Sequence, residues 1–136
     1  MSTRSRIAMV NLDGSVKSIY CHWDGYLEWN GDILANCYVT NEEVNSLINL
    51  GDISSLGRLL EDTESYHFTR GEELVIKYHP NLDSFFNYVG YCGEEYAYIF
   101  QDDVWYYSDY KMFEEKRREL LIPKLIELGV MEKDGE

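Results

Sequence analysis

The sequence predicts one α+β domain over residues 1–136. Its sheet is expected to be mostly antiparallel, built from two β-hairpins plus one further strand, with three or four helices. Three observations lead there. Two pairs of β-rich runs are joined by turn-forming residues, and helical apolar spacing is confined to short stretches between them. Long helices also fail to alternate with strands as a doubly wound sheet requires. A length of 136 residues suits one compact unit, and 45% hydrophobic against 27% charged residues is the balance of a folded chain.

Arg6–Asn11 and Val16–Cys21 read as the first hairpin. The Asp13-Gly14 pair between them suits a tight turn, because glycine accepts positive φ. His22–Tyr26 then forms a loop. Ile33, Leu34, Cys37 and Tyr38 recur at helical spacing, so a short helix is expected over 32–38. Thr40 and Glu43 make a capping box for the next helix. Val44, Leu47, Ile48 and Leu50 are its buried stripe and Gly51 its stop. Residues 52–57 read as a loop, 61–64 as a solvated turn and Tyr66–Phe68 as an edge strand.

Leu74–Tyr78 is expected to be a strand ended by Pro80. Asn81 caps a helix carrying Leu82, Phe85, Phe86 and Val89, with Gly90 after it. Glu95–Phe100 and Val104–Tyr107 form the second hairpin around Gln101-Asp102-Asp103. A final helix is expected from about Asp109, with Met112, Phe113, Leu120, Leu121, Leu125 and Leu128 on it. Pro123 should kink it and Gly129 end it, leaving residues 130–136 as a frayed tail.

Charge narrows the function classes. The net charge is −13, and residues 42–109 carry 14 carboxylates against Arg58, Arg70 and Lys77. Such a field repels phosphates and attracts basic protein surfaces, so direct nucleic-acid binding is not expected. No apolar run approaches the roughly 20 residues of a membrane span, and the first residues do not read as a signal peptide. A cytoplasmic protein is expected, with Cys21, Cys37 and Cys92 reduced because they are odd in number and far apart.

Familiar catalytic patterns are missing. Cys21 and His22 are neighbours on a strand and point to opposite faces, which argues against a thiolate–imidazole pair. No Cys-x2-Cys or His-x3-His pair marks a zinc site, and no glycine-rich phosphate loop of the P-loop or dinucleotide type occurs. No catalytic residue, metal or cofactor is assigned, and a binding protein is favoured over an enzyme.

Two groups of residues remain. Twelve tyrosines contribute to an aromatic share of 15%. Tyr96, Tyr98, Tyr106 and Tyr107 of the second hairpin lie beside the carboxylate pairs Glu94-Glu95 and Asp102-Asp103. Together they are expected to present an acidic, aromatic surface to a basic partner. Arg4, His22, Asp24, Tyr26, His67 and Arg70 are residue types that suit phosphates and bases, and form a candidate ligand pocket.

Ser2-Thr3-Arg4, Tyr20-Cys21-His22-Trp23-Asp24-Gly25-Tyr26 and Leu50-Gly51-Asp52-Ile53-Ser54-Ser55-Leu56-Gly57 resemble a family of small phage and prophage proteins. The second half is similar more loosely, through His67-Phe68-Thr69-Arg70-Gly71-Glu72 and the stretch ending in Val104-Trp105-Tyr106. The resemblance brings no catalytic residue with it. Relatives have Pro-Glu-Gly after the Tyr26 position, where this chain has Leu27-Glu28-Trp29, a departure beside the candidate pocket. It implies an accessory gene product that acts on host machinery or host defence, in the host cytoplasm.

Three expectations follow in order. The first is a phage-encoded inhibitor of a host defence or nucleic-acid-handling enzyme, of the anti-CRISPR or anti-restriction type. It would occupy a basic groove as a nucleic-acid mimic. The second is a small-ligand protein that sequesters or processes a nucleotide-derived signal. The third is a phage accessory or assembly protein. Self-association is left open in all three.

Overall fold

The computed structural model describes residues 3–132. Strands β1 (Ser5–Val10) and β2 (Val16–Cys21) form the first hairpin, followed by a π-helical turn at Leu27–Gly31 and helices α1 (Asp32–Cys37) and α2 (Asn41–Ile48). Short strands β3 (Ile53–Ser55), β4 (Glu64–Ser65) and β5 (Lys77–His79) lead to α3 (Leu82–Cys92). The second hairpin, β6 (Tyr96–Gln101) and β7 (Val104–Asp109), precedes β8 (Glu119–Leu120) and α4 (Leu121–Glu127).

The class is α+β, and the described residues form four α-helices and one mixed sheet of eight strands in the order β4-β3-β2-β1-β6-β7-β8, β5 pairing with β2. Both expected hairpins are present, but the sheet is larger and less uniform than two hairpins and a strand. The hairpins join through a parallel contact, Ile7 opposite Tyr98, and β2 meets β3 in parallel at Cys21 and Ile53. A parallel pair needs a long crossover and leaves no local turn signal.

That contact makes β1 and β6 central strands, covered on both faces. One face carries Ile7, Ile19, Tyr98 and Phe100 against Leu34, Leu47 and Leu121 of α1, α2 and α4. The other carries Ala8, Ala97 and Ile99 against Phe85, Phe86 and Val89 of α3. Alternation along each strand assigns its residues to the two faces.

Several boundaries differ from the sequence expectation. The segment 52–57 contains β3 rather than only a loop. Tyr66–Phe68 is a turn: the Ser65 Oγ accepts from Phe68 N (3.0 Å) and the Thr69 Oγ1 accepts from Ser65 N (3.0 Å), local bonds that compete with a ladder. Of the expected strand Leu74–Tyr78 only Lys77 and Tyr78, joined by His79, pair with β2, while the Val75 carbonyl accepts from Asp52 N (2.9 Å). Helix α3 continues through Gly90 and stops at Gly93, whose φ is 81°.

The largest change lies after Asp109. Met112 packs into the α1/α2/α4 face and Phe113 into the α3 face, so neighbouring side chains serve opposite layers and no single helical stripe forms. Turns lead to β8, and α4 starts at Leu121. Pro123 is therefore in the first turn, where its missing N–H would have had no partner, and it causes no kink. Val130 N and Met131 N still donate to the Leu125 carbonyl at 3.0 and 3.3 Å, so the expected fraying does not begin at 130. Residues 133–136 of that tail lie outside the described residues.

Candidate functional site

The acidic, aromatic surface is only partly assembled as expected. Asp102 and Asp103 stand exposed at the tip of the β6–β7 hairpin, both at positive φ (52° and 66°). Glu95, Tyr96 and Tyr106 are half-buried. Three expected members are not at the surface: Glu94 is 4%, Tyr98 0% and Tyr107 4% exposed. The reason is that β6 lies between β1 and β7, and β7 between β6 and β8, so Tyr98 and Tyr107 face the core, while Glu94, just before β6, turns to Arg6 on β1. The Tyr98 hydroxyl donates to the Gly25 carbonyl (2.6 Å), and the Tyr107 hydroxyl donates to Glu119 Oε1 (3.1 Å).

Four of the six candidate ligand side chains, those of Arg4, His22, His67 and Arg70, are engaged with neighbours, while Asp24 and Tyr26 are held through their backbone carbonyls. Arg4 Nη2 donates to the Gly93 carbonyl (2.9 Å) and lies 3.3 Å from Glu95 Oε1. Arg70 pairs with Glu64, lies 3.3 Å from Ser54 Oγ and stacks 5.1 Å over the Tyr66 ring. His22 Nδ1 is 2.7 Å from the Tyr20 hydroxyl, and His67 Nδ1 is 2.7 Å from the Glu72 carbonyl. The Asp24 carbonyl accepts from Asn30 N (3.3 Å), and the Tyr26 carbonyl accepts from the same N–H (3.1 Å). None of the clefts described below is lined by these six residues.

The stretches Tyr20–Tyr26 and Leu50–Gly57 meet in space. His22 N donates to the Ile53 carbonyl (3.2 Å) and Trp23 N to the Ser54 carbonyl (3.0 Å). Tyr20 N donates to Asp52 Oδ1 (2.9 Å). Gly25 packs so close to the first strand that a Cβ there would lie 2.7 Å from Ser5 Cβ. Much of the Tyr20–Tyr26 pattern thus has a structural cause. Burial pushes the Cys21 thiol up to about 11, so it stays protonated at neutral pH.

Sequence reasoning missed a buried polar chain under α3. Arg6 Nε lies 3.3 Å from Glu94 Oε2, and Arg6 Nη1 donates to Ser18 Oγ (3.0 Å). Ser18 Oγ is 3.0 Å from His79 Nε2, and the Arg6 guanidinium lies 4.9 Å over the Tyr88 ring. Burial, helped by Arg6 and Lys77, lowers His79 to about 4. The neutral imidazole then accepts from the Ser18 hydroxyl, which accepts from Arg6. Burial raises the Glu94 carboxyl, and the Arg6 charge opposes that rise. An arginine directly before the apolar run Ile7–Val10, within the expected strand, was the available signal.

Three clefts are lined by acids, of which Glu94 and Glu95 in the first are paired with Arg6 and Arg4. The first lies between α3 and the segment after β7, and includes Glu94, Glu95, Glu114 and Tyr110. The second lies between the hairpin tips, with Asp13 and Asp102. The third joins the start of α2 to the turn at 60–62, with Glu42, Glu43 and Glu61. Among the described residues, Glu42, Glu43, Glu61, Asp62, Glu72, Glu73, Asp102, Asp103 and Glu114 have no ion-pair partner. The cations pair elsewhere or lie apart from them.

Among the described residues no three His, Cys, Asp or Glu side chains gather as a metal site, and no helix is long and apolar enough to cross a membrane. Comparison with family models, curated proteins and solved structures finds no match.

Proposed function

We propose that this chain is an acidic binding protein that inhibits a host defence or nucleic-acid-handling enzyme by occupying its basic groove. The observation that carries the reading is the surplus of exposed carboxylates without ion-pair partners among the described residues. Several are adjacent pairs, Glu42-Glu43, Glu72-Glu73 and Asp102-Asp103. Duplex DNA presents one charge per about 1.7 Å of axis, and its protein grooves are built to meet a dense negative array. Fixed carboxylates on a folded surface offer the same field without bases to read. The phage resemblance supplies the context of host defence, and Arg4 and Arg70, engaged with carboxylates, make the nucleotide-pocket alternative the weaker one.

The site is revised accordingly. Asp102, Asp103, Glu95, Tyr96 and Tyr106 remain in it, while Glu94, Tyr98 and Tyr107 serve the interior. The test is phage plating on hosts carrying defined CRISPR or restriction systems, with the chain expressed in trans. Protection of phage from at least one system is expected. It should be lost in Asp102→Asn/Asp103→Asn/Glu72→Gln/Glu73→Gln, which keeps side-chain size and the positive-φ turn. Absence of protection across the panel, or full protection by the neutralised variant, contradicts the reading.

A further inference from the structure

We infer that the apolar hollow between the α1–α2 connection, β7 and the start of α4 seats a leucine-like side chain of the partner, one flanked by basic residues. The inference rests on the binding reading above and names the segment bound. Val39 bounds the hollow from the α1–α2 connection, Val104 from β7, Leu120 from β8 and Ile122 from α4, over a floor of Phe100 and Trp105. Its volume is about 200 Å³. Small-molecule pockets start at about 300 Å³, so the hollow suits one side chain rather than a nucleotide.

Exposed apolar surface marks the place. Val39, Val104, Leu120 and Ile122 are 50, 37, 48 and 43% exposed, and they come from three separate stretches of chain. A valine or leucine alone at the surface needs no explanation, but a cluster around one depression, rimmed by polar groups, is the mark of a protein contact. The floor is set before any partner arrives. Trp105 is buried, and its indole N–H donates to the Tyr38 carbonyl (2.8 Å). A fixed floor lowers the ordering cost of binding.

Charge selects the occupant. Asp103 is the one ionisable side chain among the described residues lining the hollow. It and Asp102 are exposed, and neither has an ion-pair partner among the described residues. A second copy would bring its own Asp102-Asp103 tip and its own charge of −13 to the contact, which like charges oppose. An aliphatic side chain next to lysine or arginine meets both parts of the site. The apolar group leaves water in the hollow, and the neighbouring cation reaches the carboxylates at its edge.

The experiment titrates the full chain with three acetylated, amidated peptides, Gly-Lys-Leu-Lys-Gly, Gly-Lys-Ala-Lys-Gly and Gly-Glu-Leu-Glu-Gly. The methyl signals of Val39, Val104, Leu120 and Ile122 are followed by NMR. The lysine–leucine peptide is expected to move them saturably at millimolar concentration. Its alanine counterpart should bind at least about tenfold more weakly, as truncation of an anchor does. Val39→Asp separates the two contributions, because it adds negative charge while removing an apolar wall. Anchoring predicts weaker binding of the lysine–leucine peptide to it, and charge attraction alone predicts tighter binding. Val104→Gln should also weaken that peptide at unchanged charge, which keeps the test decisive if Val39→Asp does not fold. Equal binding of the leucine and alanine peptides, or undiminished binding to both variants, overturns the anchor and leaves the charge reading standing. A glutamate–leucine peptide that binds as tightly as the lysine–leucine one overturns the basic occupant. Absence of any methyl shift overturns the hollow, and so do shifts that grow with protein concentration in the absence of peptide, which would place a second copy there. Leucine-selective binding without protection in the plating assay rejects the inhibitor reading and keeps the hollow.

Discussion

Arg6 and Glu94 are 5% and 4% exposed, and their pairing also satisfies Ser18 and, through it, His79. Removing one partner of such a pair leaves a charge buried without compensation, which costs about 3–5 kcal/mol, whereas replacing both by apolar groups is often neutral. Arg6→Met is therefore expected to lose about 3 kcal/mol or more in urea unfolding. Arg6→Met/Glu94→Leu should recover most of it. A double variant as unstable as the single one contradicts this coupling. His79 adds a pH signature. Its value of about 4 in the fold lies below the ordinary 6.5, so the unfolded chain takes up the proton first as pH falls. The stabilising contribution is complete above pH 6.5 and drains away between 6.5 and about 4. Ser18, Arg6, Lys77, Phe85 and Tyr88 surround the ring. The raised carboxyls of Glu94 and Asp52 act in the opposite sense, so the slope is isolated by comparison with His79→Gln. Wild type should lose its advantage over that variant on acidification; an advantage constant from pH 7 to 4.5 would contradict the assignment.

At the scale of elements, local chemistry was legible and long-range pairing was not. The Thr40/Glu43 capping box is present in full, with Glu43 N donating to Thr40 Oγ1 (3.1 Å) and Thr40 N to Glu43 Oε1 (3.1 Å). Thr40→Ala should lower stability by about 1 kcal/mol in urea unfolding. The hairpins were equally readable, because turn and strands lie within a few residues of one another. Strands β3, β4 and β8 have only 3, 2 and 2 residues, too few for an alternating pattern, and β3 joins the sheet through Cys21, far away in sequence. Pro123 shows the same limit from the other side. Its effect depends on where α4 begins, and that is decided by the β7–β8 pairing of Tyr107 with Glu119. Pro123→Ala is expected to change stability by less than about 1 kcal/mol, since proline in a first turn costs little. A gain of about 3 kcal/mol would instead place it in a helix interior. For the candidate site, composition revealed the charge surplus and the exposed Asp102-Asp103 tip. It did not reveal that Glu94 turns inward, because that follows from β1 and β6 lying side by side.

Over the whole molecule, a net charge of −13 with most cations already paired leaves a strongly negative exterior. Salt screens such a field over a Debye length of about 10 Å at 0.1 M, so two effects of ionic strength are expected. Added salt should relieve self-repulsion in the free protein and weaken its hold on a basic partner. Charge mimicry is tested by capture with the tagged chain from nuclease-treated host lysate, followed by challenge with duplex DNA. Near-stoichiometric retention of a basic nucleic-acid-binding protein is expected, with release by added duplex or by raised salt and loss when Asp102, Asp103, Glu72 and Glu73 are neutralised. Retention of no partner contradicts charge mimicry, and so does a partner that duplex DNA cannot displace and the neutralised chain holds equally well.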